Sequence, residues 1–411
     1  MIPSFRQDFN RRFQPGLYRQ LLHTLDATVR THVGFRVAET PCFLPPGLMN
    51  EMAAIGADLT QQLVSDPDYL RASSRAIPEA FRAADETSRP HFMTVDFGIV
   101  QREDGGYEPR LVELQAFPSV FAYQFVLSEL YRSVYDLDPA LDYFLGGHTE
   151  TSFWKLYTRL LLGNHDPENV VLTEVRPFEQ KTLPDFLVTA DRVGLEIVDI
   201  TSLIPEVRPG RPTKLYYMKG KQRIPIHRIY NRAIVDEIVS KRIQLPFDYR
   251  ETLDVEWAGH PNWYFHLSKF SLPYLHHPSV PPAVFLDDWF AGKGRERLPA
   301  DREGLILKPL FSFAGKGIQF APTDADLESI PPSERHGYLI QERVHFEPVI
   351  ATPEGPTQAE VRILYLWPDD HDLEPVLSLV RLGRGKMMGV DHNRDKQWVG
   401  GSAAFYPPPE D

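Results

Sequence analysis

A chain of 411 residues, 42% apolar and 24% charged, has room for two or three domains with cores of their own and reads as globular and soluble. Its net charge of −12 argues against a general nucleic-acid or anionic-membrane binder and leaves room for a local basic pocket. One cysteine, Cys42, excludes a disulfide framework and a cysteine-rich metal site, and fits a reducing cytoplasm; the polar, arginine-bearing start carries no signal-peptide pattern, and no stretch is long enough to span a bilayer.

In chain order, Leu17, Leu21, Leu22, Leu25 and Val29 recur at helical spacing, as do Leu48, Met52, Ile55, Leu59 and Leu63, so the N-terminal region is predicted helical. Two strand-like runs, HFMTVDFGIV and PRLVELQAF, flank Asp104, Gly105 and Gly106 and predict a hairpin, followed by a helix over 121–135. Residues 170–175 read as a strand, 182–193 as a helix with Thr182 and Asp185 spaced like a capping box and Gly194 as its stop, and 195–200 as a second strand. This β-α-β unit is joined by strands at 214–218 and 223–229 around a KGKQ turn, with a helix starting near Ala233. Gly259 and Pro261 mark a boundary, after which strands and short helices alternate through LILKPL, GYLIQERV, AEVRILYLW and PVLSLVRLG. The expected division is 1–149 (helices and hairpin), 150–255 (a small open-sheet domain) and 256–411, in an α/β (α+β) protein.

The segment 305–318, LILKPLFSFAGKGI, carries the most chemistry. Leu305, Ile306 and Leu307 predict a buried strand from which Lys308 emerges as a cation on a rigid element. In the loop beyond, Gly315 and Gly317 let backbone approach an anion, Lys316 adds charge and Ser312 a hydroxyl. On its own the segment reads equally as a polyphosphate holder or as a surface strand with a glycine turn. It is not a P-loop, since Leu310 stands where the first glycine belongs and Gly317 where Ser or Thr does. No GxGxxG follows a strand, and neither HExxH nor GxSxG occurs. Asp96-Phe97-Gly98 spells the DFG of protein kinases, but it lies upstream of Lys308, the reverse of kinase order.

Asp96 nonetheless suits Mg²⁺, and Glu113 and Gln115, two apart on the next strand, present oxygens on one face that a hairpin can bring beside it. The alternative is a solvated face, against which the apolar surroundings LVELQAF weigh, because a carboxylate there needs a partner. Glu360 and Arg362 share a strand face, where Arg362 reads either as a phosphoryl- or carboxylate-binding group or as half of a cross-strand ion pair; Arg381 and Arg384 read either as such binding groups or as charges of a solvated basic loop.

Taken together, these residues resemble a circularly permuted ATP-grasp ligase, closest to the synthetase domain of glutathionylspermidine synthase and more distantly to eukaryotic glutathione synthetase, over roughly 92–405. The resemblance implies an ATP-grasp fold with an inserted open-sheet, pre-ATP-grasp domain. It makes Asp96, Glu113 and Gln115 the magnesium ligands, with Gln115 where asparagine is usual, and Lys269 and Lys308 the ATP-gripping lysines. Ser312, Gly315, Lys316 and Gly317 become the lid over the phosphates, Gln341 and Glu342 approach base or ribose, and 228–232 (RIYNR) partly holds substrate. The implied activity joins a small-molecule carboxylate to an amine, an amino acid, peptide or polyamine, through an acyl phosphate. It takes ATP and Mg²⁺ as cofactors; Arg362 and Arg381, read from the residues alone, are the candidates to act on phosphoryl or substrate, and neither nucleic acid nor membrane is expected as partner. A phosphotransferase and a nucleotide-binding protein without turnover stay open on the same fold.

Overall fold

The computed structural model describes every residue except 103, 313–314, 386–387, 389–394 and 409–411, together with every side chain there except that of Asp236. The N-terminal periodicity becomes α1 (Pro3–Arg12), α2 (Pro15–Val29), a short β1 (Cys42–Phe43), α3 (Pro46–Val64) and α4 (Pro67–Ala76). Each helix opens on proline, whose missing N–H costs nothing in a first turn. The predicted hairpin is β2 (Phe92–Gln101) and β3 (Tyr107–Gln115), followed by α5 (Phe121–Val134).

Next come α6 (Glu150–Leu162), β4 (Val170–Glu174), α7 (Leu183–Val193) and β5 (Glu196–Asp199), then the ribbon β6 (Ile204–Arg208), β7 (Arg211–Lys219) and β8 (Gln222–Ile226). Gly194 ends α7 in the left-handed conformation at φ 83°, as expected. The expected capping box is absent. Thr182 makes no side-chain cap, and Asp185 is fully buried, accepting the Tyr123 N–H at 3.0 Å and lying 3.6 Å from the Arg232 guanidinium. A buried carboxylate answers to its tertiary partners before a local one. The strand expected at 223–229 also divides: β8 closes the antiparallel ribbon, and after His227 a new strand, β9 (Arg228–Asn231), joins a parallel sheet.

Beyond α8 (Val235–Ser240) come β10 (Glu256–Ala258), α9 (Pro261–His266), a 3₁₀ helix at Lys269–Tyr274, β11 (Ala283–Phe285), α10 (Leu286–Phe290), β12 (Leu305–Pro309), β13 (Gln319–Phe320), α11 (Asp324–Glu328) and β14 (Tyr338–Glu342). The chain closes with β15 (Gln358–Leu366), β16 (Glu374–Gly383) and β17 (Gly400–Phe405).

Among the described residues the strands form a mixed α and β architecture of four sheets: six strands in the order β1-β17-β16-β15-β2-β3, a parallel β10-β9-β4-β5, an antiparallel β11-β14-β12-β13, and the ribbon β6-β7-β8. The six-stranded sheet joins chain segments far apart in sequence, since β2 pairs with β15. One of its faces, carrying Val95, Phe97, Val361, Ile363 and Tyr365, is covered by α3; Tyr365 donates to the Ala53 carbonyl at 2.8 Å, and an added Cβ on Gly56 would stand 2.1 Å from the Tyr365 hydroxyl. The other face is divided. Phe92, Leu364, Leu366 and Ala403 pack with residues of α2 and α5, while the same face further along the strands carries Asp96, Glu360, Arg362 and Arg381. None of the described helices is long and apolar enough to cross a membrane.

Candidate active site

Strand alternation and register alone bring the charged residues of the six-stranded sheet together. Asp96 on β2 stands opposite Glu113 on β3 and Arg362 on β15, and Glu360 stands opposite Arg381 on β16. Gln115 is buried two residues from Glu113, opposite Thr94. The β2–β3 register shifts between Asp96 and Phe97, so Val112 is the extra residue of a bulge. The Val112 carbonyl is turned to use: it accepts from Lys308 Nζ at 3.1 Å, so the lysine of β12 reaches over to the hairpin.

The outer edge of β3 is covered by 267–279, through Leu111 N–H to the Ser279 carbonyl at 2.8 Å and Ala116 N–H to the Leu267 carbonyl at 3.1 Å. That segment carries Lys269 over the edge. Its Nζ lies 3.3 Å from Glu113 Oε2 and donates to the Ser312 carbonyl at 2.7 Å, tying the start of the glycine loop to the metal-candidate strand.

Asp96, 1% exposed, is held by a fork: Arg362 Nε donates to Oδ1 at 2.5 Å and Nη2 to Oδ2 at 2.6 Å, and Arg381 Nη2 adds a third bond to Oδ2 at 3.1 Å. Arg381 also pairs with Glu360, and Arg362 Nη2 lies 3.9 Å from Glu113. Four cations, Lys269, Lys308, Arg362 and Arg381, therefore face three carboxylates, Asp96, Glu113 and Glu360.

Burial works against ionisation of Glu113, but the charges of Lys269, Arg362, Lys308 and Arg381 outweigh it and hold its carboxyl well below the usual range. For Glu360 burial wins over Arg381, helped by the negative charges of Asp96 and Glu113, and its carboxyl is pushed up. Lys308 is buried, and desolvation pulls its ammonium down to about 8 despite Glu113.

The remaining candidates fall in two groups. Gln341 sits opposite Ile306 on β14 and so shares the Lys308 face, where its Nε2 is buried with no hydrogen-bond partner among the described residues; Ser312 Oγ is in the same condition. Glu342 falls on the other face and lies 3.6 Å from Arg110. Gly315 and Gly317 adopt φ 74° and 75°, Lys316 is exposed, and the loop between Ser312 and Gly315 lies outside the described residues. Arg384 points away, donating to the carbonyls of Gly355 and Gln397 at 3.0 Å each.

Two contributors carry no motif of their own. Ser119 Oγ lies 3.4 Å from Arg362 Nη1, and the fully buried Arg232 donates to the carbonyls of Pro118 at 2.9 Å and Ser119 at 2.6 Å. The sequence placed Arg232 only within the 228–232 segment, with no role of its own; its burial as a charge that must find partners is the signal that marks it.

For a triphosphate the residues fit: excess positive charge, two glycines at positive φ, and the orphaned Ser312 Oγ and Gln341 Nε2. For magnesium the donor set is two carboxylates and an amide; no group of three or more His, Cys, Asp or Glu that could hold a metal exists among the described residues. Such a set suits an ion that completes its shell with phosphate and water oxygens, once Asp96 exchanges a guanidinium for it.

No family model matches the chain, and no curated protein does. Among solved structures it is similar to a glutathione synthetase like-effector from Globodera pallida in its apo form, with a TM-score of 0.58 at 12% identity, over 96% of this chain and 98% of that one. The likeness is one of fold, and it runs through nearly the whole of both chains.

Proposed function

We propose that the chain is an ATP-dependent carboxylate–amine ligase on a circularly permuted ATP-grasp fold. The observation that carries this reading is the convergence of Lys269, Lys308, Arg362 and Arg381, from four separate elements, on one sheet face where they outnumber their carboxylates. The antiparallel sheet of β12 and β14 supplies Lys308 and Gln341 on one of its faces.

In this reading Lys269 and Lys308 neutralise phosphate oxygens. Each is worth about 4 kcal/mol at ~4 Å and an effective dielectric near 20. Magnesium, bound at Asp96, Glu113 and Gln115 with phosphate oxygens, would draw charge from the transferring phosphoryl. Arg362 and Arg381, released from Asp96, orient the substrate carboxylate. A carboxylate oxygen attacks the γ-phosphorus and ADP leaves; the amine nitrogen then attacks the acyl carbon, phosphate leaves, and the nitrogen loses a proton. Closure of the glycine loop keeps water from the acyl phosphate.

A second reading, nucleotide binding without turnover, is favoured by one observation: both Asp96 oxygens already serve arginines. ADP release with a panel of amino acids, peptides and polyamines separates the two, with Lys308→Ala and Glu113→Ala as controls. Substrate-dependent ADP lost in both variants supports ligation. ATP·Mg²⁺ raising the melting temperature with no ADP from any panel member supports binding alone, and the absence of both ADP release and a melting-temperature shift sinks both readings.

A further inference from the structure

Of the three carboxylates on the charged face, Asp96 and Glu113 are the proposed magnesium ligands, and Glu360 has no part in the chemistry so far. It is 5% exposed on β15. Strand register sets it between Gly98 of β2 and Arg381 of β16, with Arg362 two residues along its own strand and so about 7 Å away on the same face. Arg381 Nη1 donates to its Oε1, while its Oε2 makes no hydrogen bond among the described residues.

The wall on the Gly98 side is apolar. Phe346 lies over that glycine, where an added Cβ would run into its ring. The segment carrying the ring is fastened by the Glu347 N–H to the Ile99 carbonyl at 3.0 Å and by Gln358 Nε2 to the Phe346 carbonyl at 3.0 Å. The charges acting on Glu360 are Asp96 from β2, Glu113 from β3, Arg362 from its own strand, Arg381 from β16 and Lys308 from β12. Arg110, opposite Gly98 on β3, is engaged elsewhere, donating to the Pro278 carbonyl at 3.1 Å and lying 3.6 Å from Glu342.

We propose that Glu360 is the catalytic base of the amide-forming step, taking the proton that the attacking amine sheds. This role rests on the ligase reading. A substrate carboxylate held by Arg362 and Arg381 has its acyl carbon beside Glu360, which adjoins both arginines. As the amine nitrogen bonds to that carbon, the carbon–oxygen bond to phosphate breaks, its electron pair leaves with the phosphate, and the N–H proton passes to Glu360 Oε2. Burial, together with the charges of Asp96 and Glu113, pushes the Glu360 carboxyl up against the pull of Arg381, so it is a stronger base than an exposed glutamate.

Hydroxylamine is mostly unprotonated near neutral pH and captures an acyl phosphate without help from a base, so it separates the two half-reactions. The full chain and Glu360→Gln are given ATP·Mg²⁺ and L-alanine, L-glutamate or glycylglycine as carboxylate, with either hydroxylamine or glycine and spermidine as amines. Glu360→Gln should lower amide formation by at least about a hundredfold while hydroxamate formation persists. The parent's amide rate should fall on the acid side with a midpoint above 4.5, the ordinary glutamate value, and Glu360→Gln should lose that limb. ATP affinity checks folding; if the glutamine variant fails it, Glu360→Asp is read instead, and should form amide more slowly with the acid limb kept. Amide and hydroxamate falling together would show Glu360 to be only a support for Arg381 and overturn the proposal. So would amide formation at the parent's rate in either variant, with hydroxamate formed throughout, and this result leaves the ligase reading standing. No hydroxamate from the parent with any of the three carboxylates defeats the ligase reading, and the role of Glu360 with it.

Discussion

Replacing Lys308 with methionine keeps the length of the side chain and removes its charge, and the structure predicts opposite effects on stability and ligand binding. Burial lowers the ammonium from 10.5 to about 8, so holding the charge in the ligand-free protein costs about 3 kcal/mol, at 1.36 kcal/mol per unit. Its hydrogen bond to the Val112 carbonyl returns about 1.5–3 kcal/mol. Lys308→Met should therefore be as stable as the parent at pH 7, or more stable by up to about 1.5 kcal/mol.

The pH dependence has a definite sign. The native state sheds the Lys308 proton first, so stability of the parent should rise as pH climbs from about 8 toward 10.5, a rise absent from Lys308→Met. Binding should move the other way: loss of one charge worth about 4 kcal/mol weakens ATP roughly a thousandfold. Urea denaturation at pH 7, 9 and 10.5 with ATP calorimetry reads all three effects. A variant destabilised by more than about 1 kcal/mol at pH 7, beyond the net worth of an ordinary hydrogen bond, with unaltered pH slope and ATP affinity, would show Lys308 to be a structural ion-pair partner and refute the reasoning.

Asp96→Asn strips the partner from the fork of Arg362 and from Arg381, and is expected to cost about 3–5 kcal/mol in denaturant; a loss under about 1 kcal/mol would contradict the pairing. Gly317→Ala forces a side chain onto φ 75° with its Cβ 2.8 Å from Pro309 Cγ, so it should cost more than about 1 kcal/mol of stability and lower ATP affinity by about tenfold, read by denaturation and calorimetry side by side; no loss of either would contradict the strain at this position. Arg232→Met frees the Pro118 and Ser119 carbonyls and leaves Asp185 buried alone; in the proposed ligation KM for the carboxylate substrate should rise well beyond any change in ATP affinity, and equal effects on both would argue for a purely structural arginine.

Periodicity made the long helices legible, because an apolar stripe such as Leu48, Met52, Ile55, Leu59 and Leu63 has no other way to be buried together: the expected segment is α3. The same holds for the hairpin, where alternation and a glycine turn specify pairing over a short stretch, and for Lys308 on its strand. Where a charge interrupted an apolar run, as at Glu113 or Arg362, the sequence alone marked a residue that had to find a partner. It could not say which. Arg362 meets Asp96 266 positions away because β15 pairs with β2, and Lys308 reaches Val112 across 196 positions because a bulge frees that carbonyl. Asp185 shows the limit from the other direction, since spacing marked it as a cap and burial gave it to Arg232. Local pattern determines an element when its energy is local; charge partners and bulges depend on contacts made only when distant segments pack, and those the tertiary structure alone decided.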